Sequence, residues 1–185
     1  SDPLKAEVIS AALDKPARFK LALAARCEST NTLLLDAVQQ GAPSGSVVMC
    51  EEQTAGRGRR GRSWLSAPGD SLTFSLLWRF PAGLSPPTGL SLATGVAVAR
   101  ALEGAGAAGV RLKWPNDILA DGAKLGGILV ETVSHGGRHI AVIGIGINVR
   151  LPWEIADAIA ATAGALALVM PYAPSRNFLL ANLLK

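Results

Sequence analysis

Residues 110–149 read VRLKWPNDILADGAKLGGILVETVSHGGRHIAVIGIGINV, and this stretch decides the fold. Four β-rich runs, VRLKW, ILADG, KLGGILVETV and HIAVIGIGINV, are separated by Pro-Asn-Asp, Asp-Gly and His-Gly-Gly. Such residues accept the positive φ angles of tight hairpin turns, so the runs predict a largely antiparallel meander. His135 and His139 flank Gly136 and Gly137 in one of these turns, a setting for solvent-facing side chains rather than metal ligands. In GIGIN, Gly144 to Asn148, glycine alternates with isoleucine, leaving one strand face bare and the other apolar. Taken alone, that pattern reads first as a sheet crossed closely by another backbone and second as the lining of a pocket. A Rossmann phosphate loop is excluded, because the third glycine is missing and no capped helix follows.

Outward from the meander, Phe19–Ala25, SVVMCE and SLTFSLLWRF read as further strands. Helices are expected over residues 4–14 and 88–103, and from a cap at Ser29 or Thr30 through Gln39, where Gly41 ends the helix. Residues 154–167 also look helical, and SRNFLLANLLK starts a helix with no stop signal before its last residue. No repeat, low-complexity block or linker interrupts the 185 residues. The expected architecture is one α+β domain over 1–185, a mixed, largely antiparallel sheet with packed helices.

The composition is that of a folding chain, with 49% apolar and 17% charged residues. Its net charge of +4 is unevenly spread: of 18 basic residues, Arg57, Arg59, Arg60 and Arg62 fall in one run threaded with glycine. Lying between two apolar segments, that run reads as an anion-binding loop rather than a basic tail. Cys27 and Cys50 lack CxxC spacing and a nearby histidine, which argues against a zinc site or a disulfide framework. No secretory leader and no apolar run of membrane-spanning length is present, so a reducing cytosol is the expected compartment.

GRGRRGRSW, Gly56 to Trp64, carries the sharpest chemistry. Glycines let backbone approach a ligand, and guanidiniums offer forked donors to phosphate or carboxylate. A solvated basic loop and a nucleic-acid-binding segment are the other readings. KWPND, Lys113 to Asp117, places a tryptophan beside a proline turn with an amide and a carboxylate, which is equally a plain turn. In KLGGILVE, Lys124 heads a strand where Gly126 and Gly127 remove the side chains that would block a ligand. Ser29 has no histidine partner, so an acyl-enzyme triad has little support.

Taken in order, ESTN, EEQTAGRGRRGRSW, LSLATGVAVARAL, KWPNDI, KLGGILVE and IGIGINV resemble the biotin protein ligase family along nearly the whole chain. The resemblance implies a catalytic domain with a fold like that of class II aminoacyl-tRNA synthetases, and biotin lying in a groove on the sheet. It implies that biotin is activated with ATP as biotinyl-adenylate and passed to a lysine of a biotin carboxyl carrier protein. Ser29, Thr30 and Gln53 match positions that hydrogen-bond the ureido ring, with Asn31 beside them. Gly56, Arg57, Gly58 and Arg59 match a mobile loop that closes over the biotinyl carboxylate and α-phosphate, and Gly126, Gly127, Gly144 and Gly146 complete the biotin groove.

Arg57, Arg59, Arg60, Arg62 and Trp64 are implied around ATP. Asn116, Asp117 and Asn148 match positions near the nucleotide and its magnesium, which usually arrives on phosphate oxygens; no side chain is assigned as a metal ligand. The resemblance implies the catalytic role for Lys124, with Arg59, electrostatic rather than nucleophilic. Against the family pattern, the expectation from these residues is that no winged-helix DNA-binding domain precedes them and that the small C-terminal β-barrel is missing. The expectation is therefore no DNA partner and no membrane, with a homodimer left open and adenylate formation weaker than in a longer chain. The competing readings are a lipoate ligase or octanoyltransferase, a non-catalytic biotin-binding domain, and nucleic-acid binding through the arginine run.

Overall fold

Among the described residues seven strands form one sheet in the order Lys20–Cys27 (β1), Ser46–Gln53 (β2), Ser71–Arg79 (β3), Arg138–Asn148 (β7), Ala123–His135 (β6), Asp117–Ala120 (β5) and Val110–Lys113 (β4). The structure is a computed structural model that describes residues 3–151 and 163–185. β1 (Lys20–Cys27) pairs parallel with β2 (Ser46–Gln53), and β2 pairs antiparallel with β3 (Ser71–Arg79). β4 (Val110–Lys113), β5 (Asp117–Ala120), β6 (Ala123–His135) and β7 (Arg138–Asn148) form the antiparallel meander expected from their turns. Asp121 and Gly122, at φ 49° and 79°, make the two-residue turn between β5 and β6. β3 joins the two halves by pairing with β7 from Ser71↔Asn148 to Arg79↔Ile140.

Alternation along β7 divides the molecule into two faces. Ile143, Ile145 and Ile147 point into the larger core, where they meet Ile9 of α1 (Ala6–Ala12), Val98 and Leu102 of α3 (Leu90–Gly104), Leu166 of α4 (Leu166–Val169) and Leu180 of α5 (Arg176–Leu183). On the opposite face Ile140 and Val142 pack with Leu34 and Val38 of α2 (Thr30–Gln39). Beyond the N-terminus of α2 that face carries Gly144 and Gly146, and there the sheet is open.

α2 ends as its sequence predicts. Gly41 sits at φ 80°, its N–H donates to Val38 O, and the Ala42 N–H donates to Ala37 O. At the other end Ser29 occupies the cap position without making a side-chain cap bond, and the neighbouring Thr30 hydroxyl turns to Gln53. The last helix stops at Leu183, with Leu184 as its C-cap, and so does not run to the final residue. Of the helix expected over 154–167, residues 154–162 lie outside the described residues, and the rest holds the single turn α4.

α5 is anchored by a buried ion pair. The Arg176 side chain is 1% exposed and donates from Nη1 to Glu51 Oε2 at 2.7 Å, from Nη2 to Glu51 Oε1 at 3.1 Å, and from Nη1 to Ser71 O. The Leu4 N–H also donates to Glu51 Oε1 at 2.7 Å, so this carboxylate ties the segment before α1, β2 and α5 together. Burial pushes the Glu51 carboxyl up. The Arg176 hydrogen bonds and charge, with the Leu4 and Gly69 amides, outweigh burial and hold it below its usual range. Cys27 and Cys50 are free thiols; Cys27 is pushed up to about 12 by burial and by its neighbour Cys50, which makes it a poor nucleophile.

Candidate active site

A cleft of about 380 Å³ opens over the bare patch of the sheet. Its floor is set by register: Asp117, Gly127, Gly146 and Thr73 lie side by side across β5, β6, β7 and β3, and Leu129, Gly144 and Ser75 form the next row. A Cβ on Gly144 would collide with the Asn31 carboxamide, and one on Gly146 with the Trp64 indole. The glycines are therefore covered by side chains reaching over from the first half of the chain. Of the two sequence readings of GIGIN, the pocket lining is the one the fold adopts, since side chains rather than backbone stand nearest to Gly144 and Gly146.

One end of the cleft is lined by oxygen atoms in close contact. The Thr30 N–H donates to Gln53 Oε1 at 2.7 Å, and Thr30 Oγ1 lies 3.1 Å from the same oxygen. Ser75 Oγ lies 2.7 Å from Thr30 Oγ1 and 2.6 Å from Asn31 Oδ1. Two hydroxyl hydrogens thus serve three oxygen–oxygen contacts. A pocket short of hydrogens suits a ligand that brings N–H donors.

Asn31 turns its amide away from this cluster. Nδ2 donates to Glu131 Oε2 at 2.8 Å and to Leu129 O at 3.3 Å.

The arginine loop folds over the cleft as a small hairpin. Trp64 N–H donates to Gly56 O at 2.8 Å, Gly58 N–H donates to Arg62 O at 2.7 Å, and Arg57 bridges Ser63. Its tip is a single 3-10 turn, Arg59–Gly61, with Arg60 at φ 57°. A non-glycine residue pays roughly 1 kcal/mol for that left-handed geometry. The loop, which the family resemblance implies to be mobile, is braced here by its own backbone bonds and by Arg57, whose guanidinium grips Glu131 in a fork: Nη1–Oε1 3.0 Å and Nη2–Oε2 2.8 Å. Arg57 is thereby committed to protein, while Arg59, Arg60 and Arg62 line the cleft with exposed side chains.

At the cationic end, Lys124 Nζ lies 2.7 Å from Asp117 Oδ1 and 3.7 Å from where a Gly127 Cβ would stand. Asp117, expected beside the nucleotide, thus serves first as the partner of Lys124. Asn116 lines the cleft but donates Nδ2 to Ile128 O. Trp114 is 80% exposed and stands at the rim, so the packing beside the proline turn anticipated from KWPND does not occur.

Ser29, Thr30, Asn31, Gln53, Gly58, Trp64, Gly127, Gly144 and Gly146 all face the cleft. Gly56, Gly126 and Asn148 do not line it. Gly56 sits under the Trp64 carbonyl, Gly126 under the Gly146 carbonyl, and Asn148 donates Nδ2 to Lys124 O and Gly164 O, bracing the start of β6. Sequence reasoning missed Thr73, which lines the cleft, and Ser75 and Glu131, which stand behind its lining and hold Asn31 and Arg57. All three sit inside strand patterns, where a polar residue on alternate positions looks like an ordinary solvent face; the signal available was three polar residues in runs otherwise deeply apolar.

Residues 23–148 match the model of the biotin/lipoate A/B protein ligase family. The bifunctional ligase/repressor BirA of Escherichia coli is 42% identical over 125 residues, covering 67% of this chain and 39% of that protein. The biotin--[acetyl-CoA-carboxylase] ligase of Mycobacterium tuberculosis is 37% identical over 174 residues, 90% of this chain and 62% of that one. The chain thus spans less than two thirds of the length of these relatives. Among solved structures, the biotin protein ligase of Aquifex aeolicus in complex with biotin and ATP superposes with a TM-score of 0.70 at 33% identity, over 89% of this chain and 67% of that one. The Leishmania major enzyme in complex with biotinyl-5-AMP gives 0.67 at 25% identity, over 90% and 74%. With its sheet, its arginine hairpin and its glycine-floored cleft, the chain belongs to the biotin/lipoate A/B protein ligase family.

Proposed function

We propose that this chain is a biotin protein ligase catalytic domain: it activates biotin with ATP as biotinyl-adenylate and transfers the biotinyl group to a lysine of a carrier protein. The observation that carries this reading is the polarity of the cleft, hydrogen-poor oxygens at one end and cations at the other, joined by a floor without side chains. Biotin has the matching polarity, with two ureido N–H groups at one end and a carboxylate at the other. Thr30, Asn31 and Gln53 with Ser75 receive the ureido ring, Ser29 closes that end, and the chain of the ligand runs over Gly144, Gly146 and Gly127 beneath Trp64. Relatives named as biotin ligases and neighbours solved with biotin, ATP and biotinyl-5-AMP support the same assignment.

In the first step a carboxylate oxygen attacks the α-phosphorus and pyrophosphate leaves. Lys124 and Arg59 offset the negative charge that gathers there, and Asp117 holds Lys124 in place. In the second step the carrier lysine attacks the acyl carbon, AMP leaves and an amide forms. Arg60 and Arg62 hold the nucleotide phosphates. Among the described residues no three His, Cys, Asp or Glu side chains gather to cage a metal. Magnesium would be carried on the phosphates, with Asn116 and Asp117 nearest and its charge supplementing that of Lys124. No helix among the described residues is long and apolar enough to cross a membrane.

Biotin-dependent exchange of pyrophosphate into ATP tests the reading, with lipoate and octanoate as competitors. Biotin is expected to bind more tightly by several kcal/mol, because ligands without the ureido ring leave the oxygen cluster unpaired. Equal affinities, or no exchange, would overturn it. A chain acting on nucleic acid would instead bind DNA or RNA with steep salt dependence and no response to biotin.

A further inference from the structure

We propose that Glu131 is a positioning residue that holds the arginine hairpin down over the cleft and reports the state of the ureido end to it. The proposal rests on the biotin-ligase reading above. Its ground is one unbroken polar chain: Arg57 forks onto Glu131, Glu131 accepts from Asn31, Asn31 meets Ser75, Ser75 meets Thr30, and Thr30 meets Gln53. The two ends of this chain are the hairpin and the oxygen cluster that the ureido ring would complete.

Glu131 is placed for this task by the sheet. It lies on β6 four residues beyond Gly127, on the face that carries the cleft floor, and it pairs in register with Val142 of β7. Rigid strands hold it, whereas the hairpin it grips hangs from the end of β2. The fork geometry matters, since two parallel N–H donors to one carboxylate fix orientation as well as distance. A lysine at position 57 or an amide at 131 would keep a contact and lose the fixed angle.

Asn31 is the hinge of the relay. It stands over Gly144 with its carboxamide split, oxygen toward Ser75 and nitrogen toward Glu131. A ligand that supplies N–H groups to the oxygen cluster fixes the Asn31 orientation, which in turn fixes the Glu131 carboxylate that Arg57 needs. Occupied and closed states therefore favour one another, and bound adenylate stays enclosed until the carrier arrives. That retention protects a reactive mixed anhydride from water.

The test compares wild type with Glu131→Gln and Arg57→Lys, which loses the fork yet keeps a trypsin site at position 57, each checked for unchanged thermal stability. In ligand-free protein, trypsin cleavage within the hairpin should accelerate in both variants by about fivefold, the size expected for a well-formed pair of this exposure. Dissociation of preformed biotinyl-adenylate should quicken by a similar factor in Glu131→Gln, while the single-turnover rate of adenylate formation from saturated enzyme changes less than about twofold. Biotin should protect the wild-type hairpin from trypsin and fail to protect that of Glu131→Gln. Wild-type cleavage and dissociation rates in Glu131→Gln, or opposite behaviour of the two variants, would overturn the proposal. If wild-type protein formed no adenylate at all, the ligase reading would fail, and the ligand-free cleavage comparison would still decide the role of Glu131.

Discussion

Replacing Lys124 by glutamine is the most informative single change in the cleft. The side chain keeps most of its length and hydrogen-bonding capacity and loses its charge. A cation about 4 Å from a phosphate oxygen contributes about 4 kcal/mol at an effective dielectric near 20. Because the Lys124 side chain is 36% exposed, solvent screening reduces this to roughly 3 kcal/mol, on the order of 100-fold in rate. The ion pair with Asp117 at 2.7 Å adds a second effect. Once Lys124 is neutral, the Asp117 carboxylate faces the incoming phosphates unopposed, and the loss grows by about another tenfold.

Lys124→Gln should therefore lower single-turnover adenylate formation by more than about 100-fold while shifting biotin affinity much less, and Lys124→Gln/Asp117→Asn should regain about tenfold over the single variant. Rapid-quench measurement of biotinyl-adenylate, with a thermal melt on each protein, supplies the numbers. A Lys124→Gln rate equal to wild type would refute the electrostatic role. A double variant no faster than the single would refute the unmasking of Asp117.

Glu51→Gln removes the carboxylate that forks onto the buried Arg176 guanidinium and should cost about 3–5 kcal/mol of stability at neutral pH, read by urea unfolding. Because the folded-state Glu51 carboxyl is held below its ordinary value, this contribution is complete above the usual glutamate range and fades as pH falls through the folded value. The wild-type and variant stability curves should then converge in acid, and parallel curves would be the wrong result. Thr73→Val removes a hydroxyl that is buried with no partner among the described residues, and should stabilise by roughly 1 kcal/mol or raise Tm by about 2–4 °C; a lowered Tm would show that the hydroxyl is satisfied. Gly144→Ala drives a methyl into the Asn31 carboxamide and should weaken biotin binding by about tenfold or more through the displaced oxygen cluster, so calorimetry giving wild-type affinity would count against the assigned ureido end.

Legibility in the sequence followed the range of the interactions. The hairpins at Asp121-Gly122 and Gly136-Gly137, and the Gly41 stop of α2, are local chemistry, so their residues announce them. The arginine loop was legible as a loop and as an anion site, yet its closure was not, because Arg57 meets a glutamate 74 residues away. Ser75 and Thr73 acquire meaning only from the β3–β7 register, which no local pattern encodes. The resemblance named residues that line both ends of the cleft; it could not say that Lys124 and Asp117 pair, or that Gly56, Gly126 and Asn148 do not line it.

The junction between β3 and β7 has a cost during synthesis. The meander of β4 to β7 can close through neighbouring turns as it emerges, but β3 waits for a partner that follows about 60 residues later, roughly 3–12 s at ribosomal speed. During that interval Leu72, Phe74 and Leu76 lie on a strand with one unpaired edge, a template for pairing with another chain. The cleft straddles the same seam, with Thr30, Gln53 and the arginine hairpin on the early side and Lys124, Gly127 and Gly144 on the late side. A nascent chain therefore has no assembled cleft with which to stabilise itself while its edge is open, and a ligand of the cleft can assist folding only after β7 has docked.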